Sequence, residues 1–595
     1  EENNSEGGIV KSVVLSLMVA VAIAIGGVLE ISVNDQAAQI PGFIRLEETG
    51  IAGMVDESDE LPYLPGWPVK VPSNASFGPA RGIALADFDD DGKPEVIRPS
   101  TANQLHVWKY DGTPYPGWPK TLNNMAQYAA AVADVDLDGE YEICVNTRGM
   151  TSGGKVYLFD ENGNLKPGWP FTGLANGNFA SSPCLADINN DDTLEIIVGE
   201  RDYPIGHLHV LRYDGTEFSS AWPCSLDHVP TGTAAIADIN LDGITDIIYY
   251  SYNSLYVFQP DGTILSGWPQ TMPNGRNFSY QSAALADLDS DDTLEIISAM
   301  HKNGGGCYVW RHDGTLASGW PYAFPRWTYC PPTVADLYQN GDLKVICGLS
   351  GIISGGAQVL YAFDDDASVL AGFPYYQSNG GAAEGNIAVA DIDGDDDMEI
   401  IFTSNLMTTA DSLGYLYAVH HNGTLVSGWP LRTYGFTYMN GATVADVDGD
   451  DSLDIIAVSA CGSQMQISIW KAGVPFNRMS WEWPTYHFNM ARTGLYEASS
   501  VGIADPDFPV ARSWFRLLPN PAKLGQQLSF HLGQSGNVNL GLYDRTGRLV
   551  TKLACGRMDA GNHNVVLPAS LATGVYFVRL SLDQTVSSSK LVVQR

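Results

Sequence analysis

Basic residues are scarce in this chain. Its 595 residues carry 32 Lys and Arg against 68 Asp and Glu, a formal net charge of −36. Nucleic acid needs Lys and Arg to replace its counterions, so a nucleic-acid role is excluded. Affinity for anionic membranes is poor for the same reason, and solubility is high. Cysteine is sparse too: eight are scattered along the chain, with no close-spaced Cys/His cluster of the kind that holds zinc or haem. Catalytic signatures are missing. There is no Gly-x-Ser-x-Gly elbow, no His-Glu-x-x-His and no phosphate-cradling glycine loop. The 11 His follow no repeat-wide pattern, and His106 and His209, on equivalent strands, read as structural. Paired acids for glycoside hydrolysis leave no signature at this level, because acids are everywhere. The chain reads as a non-enzyme.

What is abundant is aspartate in a fixed pattern. In Ala86-Asp87-Phe88-Asp89-Asp90-Asp91-Gly92-Lys93-Pro94-Glu95, acids stand at the first, third, fifth and ninth places, and Gly92 permits a sharp bend. Carboxylates at alternate positions of a tight loop turn their oxygens inward together and repel one another. A hard cation with oxygen preference relieves this, and Ca²⁺ suits it because it tolerates six to eight flexible ligands. The competing reading is an Asx-type turn that needs no metal.

The stretch recurs eight times, and seven copies keep an acid or amide at the first three places and an acid at the ninth. After Asp87, Asp89, Asp91 and Glu95 come Asp134, Asp136, Asp138 and Glu142, then Asp187, Asn189, Asp191 and Glu195. Next are Asp238, Asn240, Asp242 and Asp246, followed by Asp287, Asp289, Asp291 and Glu295. The last two are Asp391, Asp393, Asp395 and Glu399, and Asp446, Asp448, Asp450 and Asp454. The sixth copy, at Asp336, ends in Lys344 and has lost most of its ligands. Such repetition favours Ca²⁺, up to seven ions, and even that many leave the chain acidic. Weak calcium sites fill where calcium is millimolar, outside the cell.

A second marker, Gly-Trp-Pro, recurs at Gly66, Gly117, Gly168, Gly267, Gly319 and Gly428, with variants Ala221-Trp222-Pro223 and Gly372-Phe373-Pro374. A tryptophan once per unit reads as a packing wedge between neighbouring sheets rather than a sugar platform. Between the markers the pattern is β. Short β-branched runs such as Leu194–Val198 and Asp246–Tyr250 alternate with Asp-Gly-Thr turns at Asp111, Asp214, Asp261 and Asp313. Cys144 and Cys347 follow the Asp loop where other copies carry Ile, so they read as small core hydrophobes. Four antiparallel strands per unit of about fifty residues predict a mainly β fold, an eight-bladed β-propeller with seven blades as the alternative.

The apolar lead-in, the Asp-x-Asp-x-Asp-Gly core and the trailing acid resemble the FG-GAP/VCBS repeats of integrin-like propellers over roughly residues 61–495. That resemblance implies calcium held through places one, three, five and nine, with a backbone carbonyl at seven, in the seven complete copies. It also opens an enzyme alternative, since some polysaccharide lyases are eight-bladed calcium propellers; those need a basic residue in the central channel. Trp483–Gly494 resembles the closing stretch that follows such arrays and is expected to complete the ring against Leu61–Pro68.

The ends differ in character. Ser12–Leu29 is an uncharged run of marginal membrane-spanning length, within an apolar N-terminal helix assigned to residues 1–33. Three readings stay open: a filament core, a membrane anchor, or a signal peptide with Lys11 as its basic region. A retained apolar helix with a globular head is similar to type IV pilin-like subunits. Residues 34–60 are a connector, 61–497 the propeller, 498–510 a linker and 511–595 a β-sandwich. The last, with hairpin Leu542–Val550 and strand Gly574–Leu580, resembles the Ig-like C-terminal domains of type IX secretion sorting or flagellar hook-cap proteins. The expected protein is extracellular and structural or adhesive, displayed on a cell surface or a pilus-like filament. Its expected partners are copies of itself through residues 9–33 and a glycan or surface protein; the alternatives are a membrane-anchored binding module and a calcium-dependent lyase.

Overall fold

A computed structural model gives the fold. It describes residues 45–47, residues 61–496 apart from 75–80, 149–152, 175–177, 180, 273–277, 279–281, 303–304, 352–355, 379–380, 409–410 and 477–479, and residues 522–594 apart from 524–526, 533–535, 545–547, 559–560, 569–570, 572–573 and 583–584. Residues 1–33, assigned above to an apolar helix, lie outside the described residues. Of the connector only Arg45–Glu47 is described, a strand pairing parallel with Leu406–Thr408. No helix among the described residues is long and apolar enough to cross a membrane.

The chain divides into a larger unit, which takes in nearly all of the residues up to Glu497, and a smaller one covering Ala498–Arg595. In the larger unit each sequence repeat becomes an antiparallel meander. One example runs Ala235–Ala237, Asp246–Tyr250, Ser254–Phe258 and Gln270–Thr271, each strand paired with the next. Successive sheets of this kind begin at Ala84, Ala131, Cys184, Ala235, Ala284, Thr333, Ala388 and Thr443. The short Asp loop joins the first strand to the second, as in Ala237↔Asp246 and Ala286↔Glu295. Second strands such as Asp246–Tyr250, Glu295–Ala299 and Lys344–Gly348 are buried along their whole length. That explains why they read as unbroken apolar runs rather than as alternation: both faces are covered by neighbouring sheets. The core therefore lies between sheets. Ile248, Tyr250 and Val257 of one sheet pack with Leu285, Ile296 and Trp310 of the next. This is a β-propeller-like fold.

The two sequence markers meet in that packing. Six of the marker tryptophans donate an indole N–H to the turn that ends the third strand of the following unit. Trp67 reaches Tyr110 O at 2.7 Å, Trp118 Glu161 O at 2.9 Å and Trp169 Tyr213 O at 2.8 Å. Trp222 reaches Pro260 O, Trp268 His312 O and Trp320 Asp365 O. Gly168 needs to be glycine twice over: its φ is +91°, and a Cβ there would stand 2.0 Å from Asp214 O in the same turn. Cys144 and Cys347 are buried free thiols, as expected.

Closure differs from the expectation. Val69–Pro72 pairs with Gln464–Pro475, so an N-terminal strand completes the sheet made by the last repeat. Leu64 N also donates to Ile469 O at 2.8 Å. The stretch 483–494 is not that seal. Together with its flanks, from Ser480 to Tyr496, it runs along the first strands of the sheets. Trp481–Trp483 pairs with Ala388–Ala390, and Pro484 O accepts Val444 N at 2.9 Å. Met490 offers Sδ to Leu85 N and its carbonyl to Val132 N. Ala491, Thr493 and Gly494 carbonyls then accept Leu185 N, Ile236 N and Leu285 N, each at 2.9 Å. Glu482 Oε2 accepts Asp336 N, and the Tyr496 hydroxyl donates to the same Glu482, so the circuit closes on itself. The physical reason is the demand of buried backbone: the first strand of every sheet has an inward N–H that needs an acceptor. Arg492, fully buried, fixes the segment by donating to Ala130, Ile83, Tyr486 and Asn489 carbonyls.

The smaller unit holds a five-stranded and a two-stranded sheet. Leu540, Leu542, Val578 and Leu580 share one core with Val565 and Leu567.

Replacing Arg492 by Met is expected to strand those buried carbonyls. Loss of about 2–4 kcal/mol of stability should follow, read as a lower denaturant midpoint for the larger unit; an unchanged midpoint would refute the role given to this segment.

Candidate metal centres

The complete Asp loops share up to three hydrogen bonds in which a side-chain carboxylate accepts a backbone N–H, and all three arise from the spacing. The ninth-place acid reaches back to the second-place N–H. Glu95 accepts Phe88 N at 2.8 Å, Glu142 Val135 N at 2.9 Å, Glu195 Ile188 N at 3.2 Å and Asp246 Ile239 N at 3.2 Å. Glu295, Glu399 and Asp454 do the same for Leu288, Ile392 and Val447. The first-place aspartate accepts the sixth-place N–H, as Asp134 from Gly139, Asp187 from Asp192, Asp238 from Gly243, Asp287 from Asp292, Asp391 from Asp396 and Asp446 from Asp451. The fifth-place acid accepts an N–H two residues on. Asp91 takes Lys93 N, and Asp138, Asp191, Asp242, Asp291, Asp395 and Asp450 behave alike. The Asx-turn reading is thus correct as far as it goes.

These bonds leave oxygens over. The third-place acids Asp89, Asp136, Asp289 and Asp393 group with acids of their own loops. Ligand oxygens of Asp87, Asp89 and Glu95 lie within 4.8 Å of one another, as do those of Asp134, Asp136 and Glu142, of Asp287, Asp289 and Asp291, and of Asp391, Asp393 and Glu399. Asn189 and Asn240 occupy the third place of their loops and donate to Asp191 and Asp242. The ninth-place acids are buried because each lies at or near the start of a largely buried second strand. Asp246 Oδ1, Glu295 Oε1 and Asp454 Oδ1 are buried with no hydrogen-bond partner, and so are Asp134 Oδ1, Asp136 Oδ1 and Asp448 Oδ1. Burial, with the neighbouring carboxylates adding to it, pushes Asp246, Glu295 and Asp454 up to about 7 and Glu399 up to about 9. Burial likewise raises Glu142 and Glu195 to about 7. An all-oxygen donor set with orphaned buried oxygens fits a hard divalent cation.

Three features were invisible to a reading confined to nine residues. Lys166 Nζ stands 2.9 Å from Asp136, 3.3 Å from Asp138 and 2.9 Å from Glu142. Lys471 Nζ is 2.8 Å from Asp448 and also pairs with Asp450. Burial alone would lower the Lys166 ammonium, but its hydrogen bonds to Asp136 and Glu142 hold it above its ordinary value. His420 Nδ1 lies 3.0 Å from Glu399 and groups with Asp393 and Asp395. The signal that points to His420 and Lys471 is cross-strand register: each sits opposite the ninth-place acid, in Glu399↔His420 and Asp454↔Lys471.

Comparison with known proteins agrees with this geometry. Residues 134–198 and 238–298 match the FG-GAP-like repeat, and residues 516–594 match the secretion system C-terminal sorting domain. Of the two C-terminal families expected, sorting is the one found, and it indicates export and a cell-surface or extracellular location. The biofilm matrix protein Bap1 of V. cholerae shares the fold, with a TM-score of 0.50 at 13% identity over 74% of this chain and 98% of that one. The C-terminal domain of PilY1 from Pseudomonas aeruginosa aligns with a TM-score of 0.34 at 11% identity, over 63% of this chain and 92% of its own. No curated protein sequence matches.

The raised acids set a pH dependence. A carboxyl whose folded value lies near 7, against 4.5 for an ordinary Glu, binds its proton more tightly folded than unfolded. In chelator, its stabilisation is complete below about 4.5 and is lost as pH rises through about 7. The melting temperature in chelator should therefore fall between about pH 5 and pH 8, and a divalent cation should abolish the fall. A flat profile in chelator would count against the arrangement.

Proposed function

We propose that this protein is an exported structural or adhesive scaffold: an eight-bladed propeller stiffened by calcium in its Asp loops, with an Ig-like C-terminal domain. The observation that carries the reading is the segment Ser480–Tyr496. It bonds to first strands around the larger unit, and its buried Arg492, donating to four backbone carbonyls, is committed to holding the interior together. Such an interior favours rigidity and leaves function to the outer surface. The sorting domain supports delivery to that surface. That Bap1, which shares the fold, is a biofilm matrix protein is compatible with the role.

The loops would hold Ca²⁺ through the first-, third-, fifth- and ninth-place oxygens. Bound there, the ion would cancel the mutual repulsion of the acids and tie the loop to the buried start of the second strand. Self-association through residues 9–33 would convert the scaffold into a filament that displays the propeller, and a glycan or surface protein would be its ligand.

Electron microscopy of native, detergent-free material tests the assembly. Filaments bearing globular heads at a regular rise are expected, and dispersed single particles would overturn the filament reading in favour of an anchored binder. In parallel, incubation with uronate-containing polysaccharides should produce no ultraviolet-absorbing unsaturated products; their appearance would overturn the non-enzymatic reading.

A further inference from the structure

The sixth loop shows how this fold dispenses with a metal. Its ninth place is Lys344 instead of an acid, and on the neighbouring strand Asp364 faces it at 2.9 Å. Where the last loop has Asp454 opposite Lys471, the sixth has the charges exchanged. Lys344 is buried, and Asp336 still accepts Asn340 N and Gly341 N, so the turn survives with an internal ammonium in place of the ninth-place acid.

Two of the complete loops stand halfway to that solution. In the loop beginning at Asp134, Lys166 reaches three of the four acids at 2.9–3.3 Å with only 15% of its side chain exposed. It arrives from the hairpin beyond the third strand, because Asp160 occupies the cross-strand position opposite Glu142. In the loop beginning at Asp446, Lys471 spans Asp448 and Asp450 from the cross-strand position itself. The loop beginning at Asp238 is the contrast. Gln259 follows Phe258 there, one residue on from Ile247↔Phe258, and no ion pair to Asp238, Asp242 or Asp246 is present among the described residues. An ammonium among three carboxylates and a divalent cation compete for the same oxygens. The orphaned Asp134 Oδ1 and fully buried Asp454 Oδ1 show that the ammonium does not satisfy either loop completely.

We propose that Lys166 and Lys471 are built-in cationic latches on the loops beginning at Asp134 and Asp446. They hold those loops together when calcium is absent and are expelled when it binds, which divides the metal sites into two affinity classes. The inference rests on the calcium reading above.

The test is calorimetric titration of the full chain, stripped with chelator and dialysed, with calcium chloride alone, beside Lys166→Met, Lys471→Met and Lys166→Arg. The parent should show a tighter and a weaker class. Each Met variant should move one site out of the weaker class with a gain of about tenfold in affinity, and Lys166→Arg should leave it there. Melting curves give an independent readout. Each Met variant should melt below the parent in chelator and at or above it in saturating calcium, a reversal that a purely structural ion pair would not produce. A single affinity class, or variants that melt lower in both conditions, overturns the latch while leaving calcium binding intact. No heat and no calcium-dependent shift in any protein overturns the calcium reading and the latch together.

Discussion

The inward N–H of each first strand is the constraint on which the larger unit depends. Arranging sheets so that their first strands face one another buries a set of donors that no other strand can reach. Leaving each without an acceptor would cost about 1–3 kcal/mol, repeated around the unit. One segment near the end of the repeat array accepts most of these donors. Its partners are remote in sequence: Leu85 pairs with Met490 across 405 positions, and Ile83 with Arg492 across 409. The closing strand Val69–Pro72 is equally remote from Gln464–Pro475. No subset of repeats can satisfy its own interior, so completion of the fold waits for both ends of the array, and the loop-closure entropy falls due before those contacts repay it.

The Asp loops pose a second demand, electrostatic rather than directional. The ninth-place acid lies at or near the start of a strand covered on both faces, so each complete loop carries at least that carboxylate into the core. Burial then raises the cost of ionising that group, and its neighbours add repulsion. Three responses coexist in one molecule. Asp246 and Glu295 keep a buried oxygen with no hydrogen-bond partner. Glu142 and Asp448 take a lysine. The sixth loop exchanges its signs through Lys344 and Asp364. The shared Asx-turn hydrogen bonds keep the backbone the same in each case, which is why cation chemistry can vary without altering the sheet.

Much of this was legible in the residues. Repeat period, strand runs, the Asp-Gly-Thr turns and the loop acids follow from side-chain chemistry at short range, and each appears where the sequence places it. Trp169 was legible as a wedge, though not its bond to Tyr213 O, because that partner lies in the next unit. The inner segment was misplaced for a clear reason. Met490, Ala491, Thr493 and Gly494 act mainly through backbone carbonyls, and a carbonyl leaves no mark on residue type. Lys166 and Lys471 escaped notice because their acids are close in space only after the second and third strands have paired. Register across strands, not spacing along one, determines which charges meet.

These two demands act in different places. Hydrogen bonds to Ser480–Tyr496 fix the inner edge of each sheet, while the loops fasten its first turn to its second strand. The inner edge depends little on what the solution contains, since most of its donors and acceptors are backbone groups and the charged side chains among them, Arg492 and Glu482, are buried. The loops are built on carboxylates, whose charge responds to pH and, on the calcium reading proposed above, to bound cation. A protein delivered outside the cell meets both variables, and the division confines their effect to loop stiffness while the closed arrangement of sheets persists. If the loops hold the calcium proposed above, its loss would loosen them without opening the interior, so the loops would be the part of the larger unit that its surroundings tune.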